Sequence, residues 1–315
     1  METLPDRAMD GDLRERALIA LGRALRTAGY QFVTVTPATH GRAKARGRGL
    51  PVSLRDVFGW SHPFEKGALP AELFELLDAA GALVESDGLF QSAVRVGSLG
   101  GELFFHSIFP TTHADAVFFG PDTYRFCAAI TRAQCRARRV VDVGCGSGAG
   151  GIVAGRAAER VVLADVNEQA LSYARVNAAL AGVSNVEIVR SDVLAQVEGD
   201  MDLVVANPPY MRDDLGRVYR DGGGDHGERL SLRILSESLE RLAPGGMLLL
   251  YTGAAIVDGH DVFLRAATPL LTRSGATFQY EEIDPDVFGE ELEKPGYAAV
   301  ERIAAVVLTA TRPIA

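Results

Sequence analysis

The chain has 315 residues, 47% of them hydrophobic and 23% charged, with a net charge of −9. That is enough apolar material for one large or two ordinary cores, and the acidic balance gives no sign of a phosphate-gripping surface. It holds no run of about 18 uncharged apolar residues, no apolar signal core at the N-terminus, no CxxC pair among Cys127, Cys135 and Cys145, and no paired histidine spacing, which predicts a cytoplasmic protein with reduced thiols, no membrane span and no metal.

Leu13, Ala17, Leu21 and Leu25 recur at spacing four and predict a helix over 12–29. The stretch 39–51, THGRAKARGRGLP, reads as a Gly-rich loop carrying Arg42, Lys44, Arg46 and Arg48, either solvated and mobile or in contact with an anionic partner. Short helices follow at 53–60 and 69–81, the second with Pro70 near its first turn and Gly81 past its end. From residue 83 the pattern is strand, turn, strand, turn, strand, with Asp87-Gly88 and Gly100-Gly101 as the turns. Two helices and a β-ribbon make residues 1–112 a winged-helix-like accessory domain for substrate recognition.

Beyond residue 113 strands alternate with helices. Val-, Leu- and Ile-rich strands fit at 139–143, 160–164, 186–190, 202–206 and 246–251, and helices at 149–158, 167–181, 228–242 and 258–273. Uninterrupted apolar strands separated by helices predict an α/β fold, a doubly wound, mostly parallel sheet covered on both faces. Two last strands, 276–284 and 301–312, have no full helix between them, so one is antiparallel and the sheet has seven strands.

Three acids are set at the ends of this sheet's strands. In VVDVGCGSGAGG (140–151), Gly144, Gly146 and Gly148 let the backbone turn tightly against a ligand, around Cys145, and a helix start beyond them offers free N–H groups. A glycine triplet alone is a weak signal, since dinucleotide sites use one too. Asp165 ends the second strand, where a carboxylate can accept two ribose hydroxyls. Asp192 ends the third, within reach of an adenine amino group, and Asp142 lies inside the first, where it could orient an ammonium group.

The fourth strand stops at Asn207-Pro208-Pro209-Tyr210. An amide or aromatic amine attacks poorly because its lone pair is spread into a π system. Two acceptors on its two N–H groups, the Asn207 side-chain oxygen and the Pro208 carbonyl, would hold it and help the lone pair localise. Pro209 confines the backbone of Pro208 and so fixes that carbonyl's direction. Tyr210 offers a ring on which a planar group can stack.

With these residues, 113–315 resembles the class I S-adenosylmethionine-dependent methyltransferases, and the quartet narrows the likeness to the amino methyltransferases, among them the release-factor glutamine N5-methyltransferases and enzymes acting on nucleobase amines. The resemblance implies S-adenosyl-L-methionine as cofactor, its methionine end on Asp142, Gly144, Cys145 and Gly146, its ribose on Asp165, its adenine on Asp192 between Val166 and Val193, with Asn207 beside the reacting methyl. FFGPDTYRF (118–126) stands where the family has a segment folded over the cofactor, with Thr123, Tyr124 and Arg125 as candidates and core packing or capping as the other reading. GGGDHGERLSLRIL (222–235) resembles a stretch of the glutamine enzymes. Their N-terminal helical bundle is not what residues 1–112 look like, which bears on the acceptor. Asp213, Asp214, Asp284, Asp286, Glu290, Glu291 and Glu293 are candidates for an acidic mouth suited to a neutral or basic acceptor, or for a solvated face.

The reading is an N-methyltransferase acting on a planar nitrogen: a protein glutamine first, a nucleobase amine second, a small nitrogen compound third. Nucleic acid is open as a partner without support from charge, and so is a second copy of the chain. From a different class, a non-catalytic regulator would bind DNA with residues 1–112 and only sense the cofactor; the intact quartet argues against it.

Overall fold

The computed structural model describes residues 11–46, 53–111, 113–213 and 219–314. The helices are α1 (Gly11–Thr27), α2 (Pro37–Ala45), α3 (Leu54–Phe58), α4 (Ala71–Ala79), α5 (Pro121–Ala133), α6 (Ala149–Ala154), α7 (Glu168–Leu180), α8 (Arg229–Arg241) and α9 (Val262–Ser274). The strands are β1 (Leu83–Ser86), β2 (Leu89–Ser92), β3 (Val94–Leu99), β4 (Glu102–Ser107), β5 (Arg139–Val143), β6 (Arg160–Asp165), β7 (Val186–Arg190), β8 (Met201–Ala206), β9 (Leu242–Val257), β10 (His260–Asp261), β11 (Thr277–Asp284) and β12 (Arg302–Thr311).

The main sheet runs β11-β12-β9-β8-β5-β6-β7, with the short β10 added beside β9. β5 to β9 are mutually parallel; β12 is antiparallel to β9, and β11 antiparallel to β12. Both sides of the inner strands are covered, which is why their apolar runs do not alternate with polar residues, whereas the edge strands β7 and β11 keep exposed polar positions. Val141, Val143, Val204 and Leu248 pack with Ile234 and Leu235 of α8 and Phe263 of α9. Val140, Val205 and Leu249 face the other way, onto Phe126 and Ile130 of α5 and Ile152 of α6. Each fully buried Val or Leu contributes roughly 1.5–3 kcal/mol. Chain order reverses between β5 and β8, so the cleft above their carboxyl ends is the place for a ligand.

Three features of the N-terminal part differ from the sequence reading. Residues 37–45 are helical, not a loop: the Thr36 side chain accepts from Thr39 N and Pro37 starts the first turn. This helix shows no apolar stripe because His40 alone is buried along it; Arg48, the last basic residue of the expected loop, lies outside the described residues. The expected three-stranded ribbon is two separate hairpins, β1-β2 and β3-β4. These elements also do not stand apart from the sheet. Leu18, Leu21 and Leu25 of α1 share a core with Tyr173, Val176 and Leu180 of α7. The buried Asn177 of α7 accepts from Phe105 N at 2.8 Å and donates to Phe105 O at 3.0 Å and Ser147 O at 2.9 Å, tying β4 to the glycine loop. Among the described residues no helix is long and apolar enough to cross a membrane, and no three His, Cys, Asp or Glu side chains gather as a metal site needs.

Candidate functional site

A cavity of about 440 Å³ opens at the reversal between β5 and β8. Its wall includes Asp142, Gly144, Cys145, Gly146, Asp165, Val166, Asp192, Val193, Asn207, Pro208 and Tyr210, so the glycine loop, the strand-end acids and the quartet meet in one place.

The loop end is the more polar. Gly146 has φ +52 and its N–H donates to Asp165 Oδ2 at 2.9 Å, while Asn167 N donates to Oδ1 at 2.9 Å. Gly148, at φ +78, turns the chain into α6; a Cβ there would come within 3.2 Å of Ala174 and Leu163. α6 is only six residues long, and its Gly151 N–H is taken by Asp142 Oδ2 at 2.6 Å. Burial, and next the Asp165 carboxylate, push the Asp142 carboxyl up to about 7 against the Gly151 N–H. Burial also raises Asp165, opposed by the Asn167 and Gly146 N–H groups.

At the adenine end expected from the sequence, Val166 is 42% exposed, an apolar wall open to a ligand. Val193 is buried with φ +52, a conformation a β-branched residue rarely adopts. The Ser191 hydroxyl holds that turn, donating to Val193 O at 2.9 Å and accepting from Gln196 N at 3.1 Å. Asp192 reaches solvent and pairs with Arg233 at 2.7 Å. A nucleoside with a charged amino-acid end fits this donor set: a buried carboxylate at the loop, a second at the ribose position, and apolar walls beyond.

The quartet end is aromatic. Asn207 is half-buried and Pro208 buried. The chain then folds back, with Met211 bridged to Asp221 and Gly222 N donating to Met211 O at 2.8 Å. Gly222 and Gly227 lie against the quartet's own carbonyls: added Cβ atoms would fall 2.7 Å from Pro209 O and 2.1 Å from Tyr210 O. This is the structural demand behind Gly222 and Gly227. Tyr210 is 6% exposed, its ring backed by the bare Gly253 and met edge-on by Phe288 at 6.1 Å.

Tyr124 is not on the cavity wall. Its turn of α5 faces the N-terminal part, where its hydroxyl accepts from Thr34 N at 3.0 Å and its ring meets Phe119 edge-on. The cavity residues on that helix are Asp122, Thr123 and Phe126. Thr123 also caps α5, accepting from Gly120 N at 3.2 Å. Among the described residues none of the candidate mouth acids is on the cavity wall, and Asp286, Glu290 and Glu293 are exposed, as a solvated face requires. Asp284 pairs with Arg125 at 2.6 Å, Glu291 with Arg220 and Lys294, and Asp213 lies 3.6 Å from Arg220. The charged residue on the cavity wall there is Arg220; Asp214 lies outside the described residues. Unforeseen wall also comes from Pro37 and from Phe109 to Thr111, and the Tyr219 hydroxyl donates to Thr111 O at 2.6 Å. The Gly-Pro-Asp-Thr start of α5 was the available signal for Asp122; Phe288, in left-handed backbone just before a short 3-10 turn, had none.

The family model for the methyltransferase small domain matches residues 125–257. The chain is 31% identical over 215 residues to the release factor glutamine methyltransferase of Deinococcus radiodurans, covering 65% of this chain and 76% of that protein. It is 33% identical over 117 residues to the ribosomal RNA small subunit methyltransferase C of Chromohalobacter salexigens, covering 37% of this chain and 32% of that one. The crystal structure of wild-type Trm5b from Pyrococcus abyssi superimposes with a TM-score of 0.51 at 15% identity, covering 73% of this chain and 62% of that one, a likeness of fold.

Proposed function

The chain belongs to the class I S-adenosylmethionine-dependent methyltransferases, in the family of the release factor glutamine methyltransferases, and from that premise we propose that it methylates the side-chain amide nitrogen of a protein glutamine. The observation that carries the proposal is the single cavity walled at one end by Asp142, Gly146 and Asp165 and at the other by Asn207, Pro208 and Tyr210.

The cofactor supplies an electrophilic methyl on a cationic sulfur. Asp142 would face its ammonium group, Asp165 would accept its ribose hydroxyls, and Asp192, Val166 and Val193 would receive its adenine. Asn207 Oδ1 and the Pro208 carbonyl accept the two N–H groups of the acceptor amide, leaving the lone pair directed at the methyl. Tyr210 and Phe288 border the acceptor's flat group. No strong base is required, because the nitrogen becomes acidic once it is methylated; alignment alone supplies several kcal/mol of the barrier. Residues 1–112 act as the accessory part that presents the acceptor, since Pro37 and Phe109 to Thr111 border the same cavity.

A second reading, a nucleobase amine, is supported by the ribosomal RNA relative and by Arg220 at the cavity wall. The two are separated by incubating the protein and methyl-labelled S-adenosylmethionine with a purified bacterial release factor in one vessel and ribosomal RNA in another. Label on a glutamine-containing peptide one methyl heavier supports the first; label only in nucleosides replaces it with the second.

A further inference from the structure

Asp122 lies in the first turn of α5 and is 4% exposed. Its Oδ2 accepts the Tyr210 hydroxyl at 2.5 Å and its Oδ1 accepts the Tyr251 hydroxyl at 2.8 Å. Arg125 Nη1 stands 3.2 Å from Oδ1, and the other arm of that guanidinium reaches Asp284. Capping does not explain the residue, because the start of α5 is closed by Gly120 and Thr123. The Tyr210 ring is confined elsewhere by Gly253, where a Cβ would fall 2.1 Å from Cδ2, and by the edge of Phe288. Among the described residues the carboxylate is therefore the one polar anchor at the hydroxyl end of a ring that borders the cavity.

We propose that Asp122 is the positioning residue of the acceptor pocket: clamped between Tyr210 and Tyr251, its carboxylate fixes the ring against which the acceptor's planar group lies. The proposal rests on the reading of Asn207–Tyr210 as the acceptor site. It separates the two halves of the cavity, since Asp122 acts on turnover and not on the cofactor. A carboxylate suits the place better than an amide, because it accepts from both phenols at once, whereas Asn offers one acceptor oxygen and an NH₂ group that only donates.

The test uses the full chain labelled with 3-fluorotyrosine, the Tyr210 fluorine resonance being assigned by its loss in Tyr210→Phe. In Asp122→Asn the Tyr210 resonance is expected to move or broaden, affinity for S-adenosylhomocysteine to stay within about twofold, and kcat towards the glutamine acceptor to fall about tenfold or more with little change in KM. Added to Tyr210→Phe, the same substitution is expected to cost little further. An unmoved Tyr210 resonance, or a loss of kcat as large with Phe at 210 as with Tyr, overturns the proposal. Should Asp122→Asn not fold, Tyr251→Phe removes one side of the clamp and keeps the charge; a displaced Tyr210 resonance upholds the clamp and an unchanged one refutes it. A wild type that methylates no glutamine would sink the acceptor reading alone, because the fluorine resonance still decides the clamp.

Discussion

Replacing Asp142 by Asn keeps the shape of the side chain and an oxygen for the Gly151 N–H, now at 2.6 Å, and removes only the charge. In the wild type the carboxyl rises from an ordinary 3.8 to about 7, chiefly through burial. Between those two values the folded chain keeps a proton that the unfolded chain has released, so this group's contribution is fully present below about pH 4 and is lost as pH rises through about 7. The whole difference corresponds to roughly 4 kcal/mol. A cofactor ammonium beside the carboxylate recovers part of it, so affinity for S-adenosylmethionine should rise as pH passes 7. Urea unfolding at about pH 5 and about pH 8, with calorimetric titration of the cofactor at both, reads the two effects. Asp142→Asn is expected to lose less stability than the wild type over that interval, by a few kcal/mol, and to bind the cofactor more weakly with a flatter pH dependence. Parallel pH profiles for the two proteins would refute the reasoning.

Asp165→Ala removes the acceptor of both Gly146 N and Asn167 N as well as the proposed ribose contact. At about 1.5 kcal/mol for each of the two proposed charge-assisted bonds to the ribose hydroxyls, calorimetry with S-adenosylhomocysteine should show affinity lowered on the order of 100-fold. Asn177→Ala strands three buried backbone groups, Phe105 N, Phe105 O and Ser147 O, and should cost roughly 3–6 kcal/mol in urea unfolding; a loss below about 1 kcal/mol would mean that β4 and the glycine loop are held by other contacts. Gly151→Ala would set a Cβ 2.2 Å from Leu163 Cδ2 and 2.9 Å from Asp142 Cβ, and should destabilise the protein by about 1–3 kcal/mol while weakening cofactor binding.

What the sequence revealed, and what it hid, divides along physical lines. β5 and β7 fall on the residues expected because their ends are marked by the glycine loop and by Ser191-Asp192; β5 is an inner, buried strand, whereas β7 is the sheet edge and keeps Glu187 and Arg190 exposed. Cavity residues from Asp142 to Tyr210 were readable for the same reason: each sits at a strand end on one rim, and strand ends are fixed once the strands are. α2 was hidden because its contacts run through one buried side chain, His40, and so leave no period. Tyr124 was placed one turn of reasoning too far: Pro121 marks where α5 begins, but which of Asp122, Thr123 and Tyr124 faces the cavity depends on how α5 lies on β9 and on the N-terminal part. Of the tail acids, Asp286, Glu290 and Glu293 are exposed, as the solvated-face reading has it, and Glu291 pairs with the nearby Lys294; the pairing of Asp284 was hidden because Arg125 is 159 residues away, which no local pattern carries.

The most direct test of the whole account is single-turnover methyl transfer by Asn207→Ala, measured beside its affinity for the cofactor. If Asn207 and Pro208 grip the acceptor nitrogen, affinity stays near the wild-type value while the transfer rate falls at least about 100-fold. Transfer at close to the wild-type rate would contradict it, and would move the chemistry of this cavity away from the quartet.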